Sequence, residues 1–240
     1  MTTLHMPFWA ISLYTGIWTF SGKWCEFQAA IAATLVIASI LNMGLIAFNR
    51  HIRVVKPALY SGLFPNKRMA RFYCAVVWIT AILPGTPPLY GWGKTSYHPL
   101  FAVCTFDWKI DHISYAIVIV GIVINGITGL IFYSYCTIYK TLNESTQNPD
   151  AHGIEDGATS TGRPRTDIRI LKTCFTVVCV FLLTYGPVSV VVIVETAGCS
   201  IPRVISRAVI YLMFTSCLVN PVLYGVMNPQ FKAAFKGVLV

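Results

Sequence analysis

Charge is scarce in this chain: 11% of its 240 residues are Asp, Glu, Lys or Arg, against about a quarter in a soluble globular domain. That scarcity excludes a water-facing fold, a disordered chain and a coiled coil. Acids are scarcer still, nine in all, and none falls in the middle of an apolar stretch. An intramembrane enzyme or transporter needs acids or histidines there, so that class ranks last. Regular period-two alternation is missing too, which disfavours a barrel. Paired carboxylates, a nucleophile elbow and a phosphate loop are absent, so no catalytic residue is assigned. No Cys-x-x-Cys spacing suggests a metal, and no cofactor is implied. The bases do not cluster beside aromatics on a polar face, so nucleic acid is not an expected partner. Internal repeats are not visible, and Met1 to Ser12 lacks the basic start of a signal peptide.

What is present is apolar: 55% of the residues are hydrophobic and 13% aromatic. Five intervals contain no charge: Phe27 to Asn49, Phe72 to Gly93, His112 to Tyr139, Thr173 to Val194 and Ala208 to Phe231, each 22 to 28 residues long. A bilayer-spanning helix needs about 20. Inside hydrocarbon the backbone must satisfy its own hydrogen bonds, so a helical, polytopic, all-α membrane protein in a lipid bilayer is expected. A sixth run, Met1 to Gly22, contains His5 and Pro7 and reads as the outer end of a helix begun upstream. If the first full helix exits at Arg50, thirteen of the 18 Lys and Arg residues face one side. The positive-inside rule makes that side cytoplasmic and explains the net charge of +9.

The polar segment Thr141 to Arg169 carries Asn148-Pro149, Asp156-Gly157 and Gly162-Arg163-Pro164 and is expected to be a flexible cytoplasmic loop (141–169). The sequon at Asn143 would then never meet the glycosylating enzyme. Of eight cysteines, Cys25, Cys104 and Cys199 fall on the outer side. A bridge from Cys25, at the head of its helix, to Cys104 would pin the outer loop over the bundle and leave Cys199 unpaired. Spacing alone leaves that connectivity open.

Trp18-Thr19-Phe20-Ser21-Gly22 before Cys25, Asn49-Arg50-His51 at the end of that helix, Trp78 in the next, Pro187, and Asn220-Pro221-Val222-Leu223-Tyr224 followed by Phe231 together resemble the rhodopsin-like (class A) G-protein-coupled receptors. Ser39 to Arg50 and Cys104-Thr105-Phe106 look like melatonin receptors, and Pro87 to Gly93 looks like opsins. The resemblance covers nearly the whole chain (1–240, one receptor domain). It implies a partial seven-transmembrane bundle: five full helices, the end of a sixth, and a short amphipathic helix at 229–240 lying on the inner membrane surface. The family's first helix and most of its second would precede Met1, and with them the aspartate the family uses for sodium.

The resemblance also implies an activation switch. Arg50 would sit at the cytoplasmic mouth, with Asp167 near the inner end of the helix that moves and available as its partner. Asn49 stands where the family more often has aspartate. Pro187 would kink the moving helix. Tyr185 replaces a frequent tryptophan, Phe181 matches the packing switch one turn inward, and Ile127 replaces the proline of the preceding helix. Asn220 and Tyr224 share a face beside Pro221, so a kink there can turn Tyr224 toward Arg50 and Tyr135. The outer cavity would be lined by Gln28, Ala32, Ala33, Val36, Trp108, Tyr185, Val188, Ser189, Val192, Tyr211 and Phe214. Phe214 stands where opsins carry the retinal-binding lysine, and a Schiff base needs an amine. Ala32 stands where amine receptors carry a carboxylate. A small, neutral, largely apolar ligand is therefore expected, with a heterotrimeric G protein on the cytoplasmic face of the plasma membrane. The alternative is a truncated, non-signalling fragment that acts only through association with other receptors.

Overall fold

The opening run forms helix α1 (Met6–Thr15), with Pro7 in the first turn, where an amide has no intrahelical partner to lose. Gly16 closes it in the left-handed conformation, φ 75°. The computed structural model describes residues 4–99, 101–107, 113–147, 163–227 and 237. Ser21 caps the next helix by accepting a hydrogen bond from the Trp24 amide (3.3 Å). That helix, α2 (Gly22–Val55), runs for 34 residues and stops at the residue pair preceding Pro57, whose ring disfavours helical geometry in the residue before it. Pro57 then starts the short α3 (Pro57–Leu63). Asn66 caps α4 (Lys67–Gly85) through the amides of Arg68 and Met69, at 3.0 and 3.1 Å.

The interval Phe72 to Gly93 is not helical throughout. α4 ends at Gly85, and Pro87 to Tyr90 form a single 3-10 turn, because Pro87 and Pro88 offer no amide to continue the ladder. The sequence also gave no notice of the hairpin that follows: β1 (Thr95–His98) pairs antiparallel with β2 (Val103–Phe106), in the register Thr95 to Phe106 and His98 to Val103.

The third long interval begins as α5 (Ile113–Ala116), widens into a π segment over Ile117–Ile124, and resumes as α6 (Asn125–Gln147). Two side chains service the backbone there. Asn125 Nδ2 donates to the Val120 carbonyl at 2.7 Å. Tyr115 donates to the Pro84 carbonyl at 2.8 Å, an oxygen whose helical partner would have been the missing N–H of Pro88. The last two helices are α7 (Arg163–Thr196), with Pro187 inside it, and α8 (Arg203–Met227).

The expected loop 141–169 is shorter at both ends than its polarity implies. Residues 141–147 continue α6 and residues 163–169 open α7, since adding a turn to an existing helix is far easier than nucleating one. Residues 148–162 between them, and all of the expected surface helix 229–240 except Gly237, lie outside the described residues.

α2 is the central helix. It packs against α4 and α6, touches α7, and supports the hairpin, while α7 pairs with α8. Gly85 permits the closest approach: a Cβ there would lie 3.1 Å from the Thr34 amide nitrogen. One core joins α2, α6 and α7 through Ile40, Met43, Ala47, Tyr135, Ile138, Val178 and Phe181. A second gathers Ile37, Ala81, Phe106, Tyr115 and Ile119 under the hairpin. Phe72, Ile79, Leu83, Phe132, Leu183 and Leu218 face outward and are exposed, an apolar exterior suited to hydrocarbon rather than water. Among the described residues, Gly22–Val55, Ile117–Glu144 and Phe175–Glu195 are long and apolar enough to cross a membrane.

Candidate ligand cavity and signalling face

The hairpin is a lid fastened on three sides. A disulfide joins Cys104 of β2 to Cys25 at the head of α2, with the Cα atoms 5.3 Å apart. The Tyr97 hydroxyl donates to the Gly16 carbonyl at the end of α1 (3.3 Å), and Trp9 Nε1 donates to the Phe101 carbonyl in the hairpin turn (3.2 Å). Burial pushes the Tyr97 hydroxyl above its ordinary pKa, partly offset by Arg207, so it stays a donor. On the third side His98 Nε2 lies 3.9 Å from Glu195 Oε2 in the last turn of α7.

Beneath this lid lies a cavity of about 160 Å³. Alanines make the room for it: Ala29, Ala32 and Ala33 on α2 carry no side chain beyond Cβ, and the opposing wall comes from the π segment and α7. Of the sequence-derived lining, Ala32, Ala33, Val36, Tyr185, Val188, Ser189 and Val192 are brought together here. Gln28 is buried one layer back, 3.0 Å from the His5 ring. Phe214 is buried against His5 and Trp9, with ring centroids 5.7 and 4.7 Å away. Tyr211 stands apart from these residues: it is half exposed on α8 and edge-on to Trp9 of α1 at 4.9 Å. Trp108 lies outside the described residues.

Sequence reasoning missed His5, Phe101, Val103 and Thr105 in the wall. The last three belong to the unforeseen hairpin. His5 did carry a signal, an imidazole in an uncharged apolar run, which inside a bundle marks a functional position. No Asp, Glu, Lys or Arg lines the cavity among the described residues. Its polar groups are already partly engaged: the Tyr185 and Ser216 hydroxyls share a hydrogen bond of 3.2 Å, and Ser189 donates to the Tyr185 carbonyl at 3.3 Å.

The cavity floor reaches toward the other end of the bundle through Ile40 of α2 and Phe181 of α7, which line the cavity and belong to the same core. Phe181 lines the cavity, stacks on Tyr185 with centroids 4.3 Å apart, and is also part of the α2–α6–α7 core with Met43 and Tyr135. Pro187 stands one to two turns away and leaves the Leu183 carbonyl without its helical amide. At the far end of α2, Arg50 makes no ion pair with any described side chain, and its Nε is buried without a hydrogen-bond partner among them. Asn49 beside it supplies no charge. Tyr135 is buried edge-on to Phe175 at 5.8 Å. The backbones of Asp167, Asn220, Pro221 and Tyr224 are helical; their side chains lie outside the description.

The sequence profile of the family described as 7 transmembrane receptor (rhodopsin family) matches residues 1–224. The chain belongs to that family. Rhodopsin-family receptors are multi-pass plasma-membrane proteins and not enzymes, in keeping with the apolar helices described above. Similar relatives include "Rhodopsin, GQ-coupled" of Mizuhopecten yessoensis, 24% identical over 95% of this chain and 47% of the relative. "Melanopsin" of Homo sapiens is 26% identical over 95% of this chain and 49% of its own length. "G-protein coupled receptor 161" of Mus musculus is 25% identical over 99% of this chain and 48% of its own length. The chain thus spans about half the length of the curated relatives it matches. The fold matches squid rhodopsin with a TM-score of 0.86 at 22% identity, covering 96% of this chain and 65% of that one.

Proposed function

We propose that the chain relays the binding of a small, neutral, largely apolar ligand in the lidded cavity to a heterotrimeric G protein at its Arg50 face. The observation that carries this reading is Phe181, which belongs at once to the cavity wall and to the core leading toward the Arg50 end. A ligand that moves Tyr185 or Phe181 repacks that core. α7 then pivots at Pro187, and its inner half leaves α2, opening a groove at Arg50. The ligand acts by binding the open state better than the closed one, a coupling of about 1–3 kcal/mol in typical cases.

The excess of cations at the Arg50 end supports a cytoplasmic location for that face. Asp167, Asn220, Pro221, Tyr224 and Tyr135 complete the switch in this reading, with Asp167 as the partner that holds Arg50 at rest. Asn49 gives the guanidinium no neighbouring carboxylate, so basal activity is high. Phe214 has no amine for a retinal Schiff base, and Ala32 no carboxylate for an ammonium ligand, which leaves neutral molecules.

One relative is named as Gq-coupled, so Gq is the first G protein to test. The chain in lipid nanodiscs is expected to accelerate guanine-nucleotide exchange on purified Gq above empty discs, and Arg50→Ala to abolish the gain. Exchange equal to that of empty discs with each G protein class, or exchange unaffected by Arg50→Ala, overturns the proposal.

A further inference from the structure

The cavity is apolar except for a few groups, and one of them is only half used by the protein. His5, at the start of α1, is buried and lines the cavity. Its Nδ1 lies 3.0 Å from Gln28 Oε1, and Gln28 is itself 2% exposed. An amide oxygen only accepts, so Nδ1 carries the proton and donates. In the neutral imidazole the other ring nitrogen then holds a lone pair. No carboxylate lines the cavity to pair an imidazolium, and an unpaired charge in such surroundings is strongly disfavoured. Nε2 is left as an acceptor without a partner among the described residues.

The remaining polar groups, the hydroxyls of Thr105, Tyr185 and Ser189, do not duplicate it, because a hydroxyl can turn to donate or to accept whereas the unprotonated imidazole nitrogen only accepts. Ser189 gives its proton to the Tyr185 carbonyl, and the Tyr185 hydroxyl is tied to Ser216. Phe101, Phe181 and Tyr185 place aromatic rings around the same space. An acceptor nitrogen left without a protein donor, on a residue that lines the cavity, disfavours an occupant that lacks a donor and rewards one that brings it.

We propose that His5, held in one tautomer by Gln28, is the specificity-determining acceptor of the cavity and selects a flat, neutral ligand bearing an O–H or N–H donor over its donor-less isostere. This rests on the reading of the cavity as the ligand site, and the test separates the two.

The probes are phenol and toluene, equal in shape and different in the donor, titrated against the whole chain labelled with 15N-histidine in nanodiscs, with empty discs as the reference. Phenol is expected to bind about tenfold more tightly than toluene, and to move the His5 Nε2 resonance as its lone pair takes a hydrogen bond; toluene is expected to leave that resonance in place. His5→Phe is expected to bring the phenol to toluene ratio to about one while toluene still binds. Gln28→Leu, which frees the tautomer, is expected to reduce the ratio without touching the ring. Equal affinities in the unaltered chain with an unmoved Nε2 resonance overturn the role of His5 and leave the cavity standing, as does a ratio that survives His5→Phe. Failure of both probes to bind overturns the inference and the cavity reading together.

Discussion

At the residue scale, single atoms decide how closely the helices approach. Gly85 faces Thr34 of α2 so tightly that a Cβ would meet the Thr34 backbone at 3.1 and 3.2 Å. Gly85→Ala is expected to destabilise the chain by about 1–3 kcal/mol through overpacking, read as a lower thermal midpoint in detergent. Gly129 has nothing within 4 Å of an added Cβ, so Gly129→Ala serves as the control and is expected to leave the midpoint unchanged or raise it. Tyr115→Phe removes the hydrogen bond that stands in for the missing Pro88 amide at the Pro84 carbonyl and is expected to cost about 1–3 kcal/mol. At this scale the sequence was informative where spacing along one helix was enough. Ala32, Ala33 and Val36 on α2, and Tyr185 and Val188 on α7, fall on the cavity wall because helical periodicity puts them on one face. Tyr211 is half exposed and packs on Trp9, a contact between residues two hundred positions apart that spacing along one helix does not reveal.

At the element scale, the lid depends on one covalent tie and several weak ones. Cys104→Ser is expected to lower stability by about 2–4 kcal/mol and to raise hydrogen exchange in Thr95–Phe106 while the amides of α6 keep their protection. The opposite pattern, with α6 exchanging and the hairpin still protected, would show that the other fastenings hold the lid unaided. The helices were legible because a bilayer forbids charge over each crossing, and the five uncharged intervals fall on α2, α4, α5 with α6, α7 and α8. Their ends were less so. Polarity marks where water begins, whereas a helix stops only where a cap or a proline stops it, which is why α6 runs past Thr141 and α7 starts before Arg169. The hairpin strands are four residues each, too short for alternation to register. The π segment sits in a uniformly apolar run that has no period to read.

At the scale of the whole molecule, the account joins two ends of one bundle. The disulfide end holds a lidded apolar cavity, the Arg50 end a guanidinium without an ion pair among the described side chains, and Phe181 with Ile40 connects them beside the Pro187 break in α7. Family membership was legible from motifs spread along the chain, and the family profile over residues 1–224 confirms it; the polar character of the cavity was not, because His5 becomes part of the wall only when α1 is set against α2. The central claim is movement of α7 relative to α2 at the Arg50 end. It is tested most directly by pulsed electron resonance between spin labels at Arg53→Cys and Lys172→Cys, in a chain whose cysteines other than Cys25 and Cys104 are replaced, in nanodiscs with and without nucleotide-free G protein. The expected result is a longer distance when G protein binds, suppressed by Pro187→Ala. A distance that stays the same with G protein bound would contradict the account.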